Sequence, residues 1–116
     1  MTKQLIDMEH LEKYVSGDVA LRDEILGIFA EQIRSLLAQF DVDLEDENWK
    51  NTAHTLKGAS RGVGSWEIGN LCEQAEALIG NVRAKHESRA AFLVTLRHLV
   101  DATVQECNRL RTPVSA

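Results

Sequence analysis

An all-α fold, an antiparallel four-helix bundle with a short additional N-terminal helix, is what this sequence predicts, and three observations carry the prediction. Apolar residues recur at three- and four-residue spacings through four long segments, the period of helices that each bury one face. Proline occurs once, as Pro113 near the end, so the interior holds no helix breaker of that kind. Connecting stretches are short, and no segment of useful length alternates with the period of a strand. With 116 residues, 44% hydrophobic and 27% charged, the chain reads as one globular domain spanning 1–116, its core within about 7–110.

The first element is short, from Asp7 to about Tyr14, with Met8, Leu11 and Val15 as its apolar positions. Gly17 supplies a left-handed cap, and Asp18 starts the next helix as its N-cap. That second helix, Val19 to about Phe40, carries Leu21, Ile25, Ile28, Phe29, Ile33, Leu36, Leu37 and Phe40 on a stripe wide enough for two neighbours. The acidic stretch 41–47 reads as a solvated turn whose carboxylates suit the N-terminus of the third helix. The third helix runs from about Asp46 to Arg61, and Gly62 and Gly64 break it. Ser65 is the candidate N-cap of a fourth helix, Trp66 to about Val82, with Ile68, Leu71, Cys72, Ala75, Leu78, Ile79 and Val82 at helical spacing. A basic connector over 81–85 leads to the fifth, about His86 to Leu110, with Phe92, Leu93, Leu96, Leu99, Val100, Thr103, Val104 and Cys107 as its stripe. The tail 111–116 is expected to fray.

Composition excludes several function classes. A net charge of −5 argues against a nucleic-acid partner, which a basic surface would meet. No apolar run approaches the ~20 residues that cross a bilayer, and Met1-Thr2-Lys3-Gln4 is not a signal peptide, so a cytoplasmic location without a membrane partner is expected. Cys72 and Cys107 lie within apolar patterns and read as small core residues rather than a bridge or a reactive pair. The residues three before His10, His54, His86 and His98 are Asp7, Asn51, Arg83 and Thr95, which rules against a di-metal site of paired Glu-x-x-His type. Neither a nucleophile elbow nor a phosphate-binding loop is present, so no autonomous ATP-dependent kinase or hydrolase activity is expected.

What remains is the third helix. Trp49, Ala53, Leu56, Ser60 and Val63, at spacings of four, three, four and three, form its buried stripe. At about 100° per residue, Lys50, His54, Lys57, Gly58 and Arg61 share a different sector, so the imidazole should face solvent. Gly58 costs about 1 kcal/mol relative to Ala in a helix interior, and its bare backbone leaves room beside the ring for an approaching group. A neutral imidazole, with an ordinary pKa of about 6.5, has a free ring nitrogen that can attack phosphorus. Lys57, with Arg61, would counter the charge of a phosphoryl group carried there.

The segment His54-Thr55-Leu56-Lys57-Gly58, followed by Ser60, Gly64 and Leu71-Cys72-Glu73-Gln74-Ala75-Glu76, resembles the histidine-containing phosphotransfer (HPt) domain of multistep two-component signalling. The similarity spans about residues 53–76, and the helix layout agrees along most of the chain. The resemblance implies that His54 is the phosphoacceptor, taking a phosphoryl group from an aspartate of one response-regulator receiver domain and passing it to another. It further implies that Lys57 is the basic neighbour and Gly58 the space-making residue. Some members place a glutamine on the adjacent helix against the histidine; the matching position here is Glu76. That carboxylate either holds one ring N–H, leaving the other nitrogen to react, or is an ordinary solvated residue.

Receiver domains and a sensor or hybrid histidine kinase are the implied partners. Magnesium is expected on the receiver, and no cofactor or metal in this chain. The absence of an ATP-binding module favours a free-standing shuttle over a domain excised from a hybrid kinase, an alternative that stays open, and a monomer is expected. Two other readings stand beside it: a helical adaptor that binds receivers without being phosphorylated, and a kinase substrate domain that also mediates dimerisation.

Overall fold

The structure, a computed structural model, describes residues 4–112, and every regular element among them is a helix. These are α1 (Met8–Val15), α2 (Val19–Ala38), α3 (Asp46–Gly62), α4 (Trp66–Glu76) and α5 (Lys85–Leu110). Helices α2 to α5 close into a ring, α3 packing on α4, α4 on α5, α5 on α2 and α2 on α3. Leu26, Phe29, Ile33, Trp49, Leu56, Ile68, Leu96 and Val100 fill its centre, each almost wholly withdrawn from water. No helix among the described residues is long and apolar enough to cross a membrane.

α1 packs on α2 and straps the turn between α3 and α4. Its N-cap, Asp7, accepts from His10 N at 3.1 Å, while the Asp7 amide donates to Gly64 O at 2.9 Å. The other Asp7 oxygen takes the indole N–H of Trp66 at 3.0 Å, and the His10 ring stands edge-on to Trp66 with centroids 4.8 Å apart. The Trp66 bond, then the His10 amide, holds the Asp7 carboxyl below the usual carboxylate range. Gly64 is required at this crossing. Its φ is +85°, and a Cβ there would stand 2.9 Å from Asp7 O.

Several expected boundaries and faces shift. Ser16 itself takes the left-handed conformation at the end of α1, with Gly17 following it there. α2 ends at Ala38, and Phe40, beyond it, turns inward against Trp49 and Phe92 with centroids 5.1 and 5.4 Å away. The inner face of α2 is Leu26, Phe29, Ala30, Ile33 and Leu36, whereas Leu21 and Ile28 point outward, Ile28 being 58% exposed. Leu21 and Ile28 keep helical spacing as well, but on a face turned away from the Leu26–Ala30–Ile33 register that packs inward. Ser65 starts α4 without a side-chain capping bond, and its hydroxyl is buried without a partner.

The fourth helix is the largest difference. It stops at Glu76, not Val82, because tertiary partners capture the backbone that would continue it. Arg89 Nε takes Leu78 O at 3.0 Å, Asp46 Oδ2 takes Gly80 N at 2.8 Å, and Lys85 Nζ takes Gly80 O at 3.1 Å. Gly80 meets these demands at φ +68°. Leu78 and Ile79 still pack against the core from the loop, while Val82 is exposed.

Asp46, expected in a solvated turn, is instead the anchor of this corner. Its Oδ1 accepts from Lys85 Nζ at 3.0 Å and Arg89 Nη2 at 2.9 Å. Arg89 is 2% exposed, with Nη1 on Val42 O and Leu44 O. Its charge is thus fully met inside the fold. Of the tail expected to fray, Thr112 is tied down by its amide to both oxygens of Asp23 at 3.1 Å. Residues 113–116 lie outside the described residues.

Candidate functional site

The inward stripe of α3 lies as spacing predicts: Trp49, Ala53, Leu56 and Ser60 are buried, and Val63 is half-buried. Burying that stripe against α4 turns the opposite sector outward. The His54 side chain is 71% exposed, against 17% for Lys57 and 15% for Glu76. Lys50 and Gly58 are exposed beside it. A Cβ built on Gly58 meets no atom within 4 Å, so its bare backbone borders open space. Replacing Gly58 with Ala therefore raises thermal stability, by up to about 1 kcal/mol in unfolding free energy. Gly58→Leu folds equally well but blocks close approach to His54; urea titration alongside a phosphoryl-uptake assay separates the two effects.

Glu76, the last residue of α4, reaches across to the ring. Its Oε1 lies 2.7 Å from His54 Nδ1 and its Oε2 2.7 Å from Lys57 Nζ. Of the two readings of Glu76 left open by sequence, the bridging one describes its place. The Lys57 ammonium, aided by the His54 bond, holds the Glu76 carboxyl below the usual carboxylate range despite partial burial. It is therefore ionised at neutral pH and can only accept a hydrogen bond, so the shared proton is carried on Nδ1. The second ring nitrogen, Nε2, has no hydrogen bond in this cluster to a protein group.

A depressed carboxyl contributes stability above its unfolded value, near 4.5, and loses it as pH falls through the folded value. Wild type should thus lose more thermal stability than Glu76→Gln as pH drops below about 4.5. A series of melting curves from pH 7 to pH 3 checks this.

Arg61 takes a different place from Lys57. Its guanidinium is committed to α4, with Nη2 at 3.2 Å from both Asn70 Oδ1 and Glu73 Oε2. The aliphatic stem of Arg61 crosses Gly69, where a Cβ would come within 2.7 Å of Arg61 Cγ. Gly69, which sequence reasoning passed over, is thus the seat of a strap between α3 and α4. A glycine inside an otherwise regular apolar helix pattern was its signal.

Behind the site, burial pushes the Cys72 thiol up to about 12 and that of Cys107 up to about 11, so neither is a nucleophile at neutral pH. Among the described residues no three His, Cys, Asp or Glu side chains converge as metal ligands would. On the other flank of His54, a groove between α2 and α3 is lined by Leu36, Gln39, Leu44, Asn48, Asn51 and Thr55, without a charge.

A small helical bundle in which a solvent-facing imidazole, that of His54, is braced at Nδ1 and bordered by bare backbone has the make-up of a group-carrier domain. The family comparison makes this specific: the model described as "Hpt domain" matches residues 24–106, and the chain belongs to that family. Its general role is therefore phosphotransfer in two-component relays. No curated protein and no solved structure matches the chain.

Proposed function

We propose that His54 is the phosphoacceptor of a relay, receiving a phosphoryl group from an aspartyl phosphate on one receiver domain and delivering it to another. The observation that carries the reading is the pair of nitrogen environments: Nδ1 held 2.7 Å from Glu76, Nε2 open on a 71% exposed side chain. Nε2 attacks phosphorus, the P–Nε2 bond forms, the P–O bond to the aspartate breaks, and the carboxylate leaves. The proton on Nδ1 stays throughout, so the attack needs no base. The phosphorylated ring is formally an imidazolium whose N–H faces the Glu76 carboxylate. In the onward step neutral imidazole leaves, again without a proton transfer.

Lys57 offsets the charge of Glu76, which would otherwise repel the incoming phosphoryl group. Magnesium and the acidic pocket belong to the receiver in this reading, and the α2–α3 groove with Gly58 takes the receiver's surface. The protein acts as a cytoplasmic monomer that serves receiver domains and a sensor or hybrid kinase.

Incubation with a labelled, phosphorylated receiver domain tests the proposal. Label should appear on this chain and be lost in acid but kept in base, as expected of a phosphoramidate linkage to histidine. Binding without label transfer would instead mark a non-catalytic receiver adaptor.

A further inference from the structure

The end of α4 is pinned from inside the core on both sides of Glu76. Trp49, on α3 and fully buried, donates its indole N–H to Ala75 O at 2.8 Å. Arg89 lies over the Trp49 ring at 4.4 Å and donates Nε to Leu78 O at 3.0 Å. The last carbonyls of a helix lack the regular intrahelical partner; Ala75 O accepts from Leu78 N at 3.0 Å in the closing turn, and the Trp49 indole N–H is its second donor. The Ala75 carbonyl belongs to the peptide unit that supplies the nitrogen of Glu76. Holding that plane restrains the N–Cα bond of Glu76, the base from which its side chain reaches His54 Nδ1.

We propose that Trp49 is a positioning residue for transfer at His54: its indole N–H, backed by Arg89, keeps the Glu76 carboxylate on Nδ1 and so leaves Nε2 as the reacting nitrogen. This rests on the reading of His54 as phosphoacceptor. The ring of Trp49 also packs edge-on against Phe40 and Phe92, a contact any large aromatic would supply. The N–H is different, because only it is directional. Moving Oε1 by about 1 Å stretches a hydrogen bond beyond useful length, and misplacements of that size cost up to about a hundredfold in rate.

The charged and titratable groups at the ring are Glu76 from α4 and Lys57 from α3, with Lys50 exposed four residues before His54; Glu73 is held by Arg61, and the α2–α3 groove is uncharged. Loss of the brace therefore acts through Glu76, and this defines the test. Phosphoramidate serves as phosphoryl donor to the full chain in four forms: wild type, Trp49→Phe, Glu76→Ala and the double variant. Trp49→Phe should slow uptake about five- to tenfold. In the Glu76→Ala background it should change the rate less than about twofold.

Nitrogen-15 spectra of His54 should show the Nδ1–H tautomer losing population in Trp49→Phe, a readout that a mere loss of stability would not move. Val104→Ala, a core truncation on α5, should melt earlier yet take up phosphate at the wild-type rate. If the phenyl ring does not support folding, 3-benzothienylalanine at position 49 removes the N–H while keeping the bicyclic shape. Equal slowing with and without Glu76, or an unchanged tautomer signature, would overturn the proposal. Absence of uptake at His54 in wild type would overturn the phosphoacceptor reading beneath it, and the tautomer measurement distinguishes the two failures because it needs no phosphate.

Discussion

His54→Gln should accept no detectable phosphate from a phosphorylated receiver domain while remaining fully folded. Loss of a nucleophile lowers transfer by at least about 10³-fold, since no second group in the cluster can replace Nε2. Lys57 Nζ donates to Glu76, and the thiol of Cys72 is buried. Stability should change by no more than about 0.5 kcal/mol, as for most exposed substitutions. The glutamine amide can still donate to Glu76, so the variant does not leave that carboxylate without a partner. Radiolabel transfer and circular dichroism on the same sample read both quantities.

Leu56→Asp, two positions along the same helix, should produce the opposite result. Leu56 is wholly buried, at 0% exposure. Its removal alone costs about 2–5 kcal/mol, and a carboxyl in that place adds the penalty of an unpaired polar group. A domain of this size is stable by only about 5–15 kcal/mol, so the bundle should be largely unfolded at 37 °C. Chemical denaturation followed by tryptophan fluorescence checks this, Trp49 being buried about two turns away. A folded Leu56→Asp protein would mean that the inner and outer sectors of α3 have been exchanged.

The contrast between His54 and Leu56 was legible because α3 keeps helical time without interruption, and a stripe that must be buried determines what faces water. Less was legible where backbone groups found partners far away in sequence. The apolar pattern of Leu78, Ile79 and Val82 continues as if α4 did, and nothing local says that Asp46, Lys85 and Arg89 will take the carbonyl and amide groups of that turn. Asp46 read as solvated because its partners lie at positions 80, 85 and 89.

Arg89 left a trace: it falls in register with Phe92, Leu96 and Val100 on the inner stripe of α5. A charge at such a position is expected to be paired, yet its partners cannot be named without the fold. Glu76 lay between two readings for the same reason. Whether a carboxylate on one helix meets a histidine on the next depends on the offset between helices, and that offset is set by core packing rather than by either helix alone.

The most direct measurement is phosphorus–nitrogen correlation by NMR on ring-labelled protein after phosphoryl uptake. Phosphorus should be coupled to Nε2 of His54, with the proton still present on Nδ1. Phosphorus on Nδ1, or on any residue other than His54, would contradict the division of labour between the two ring nitrogens.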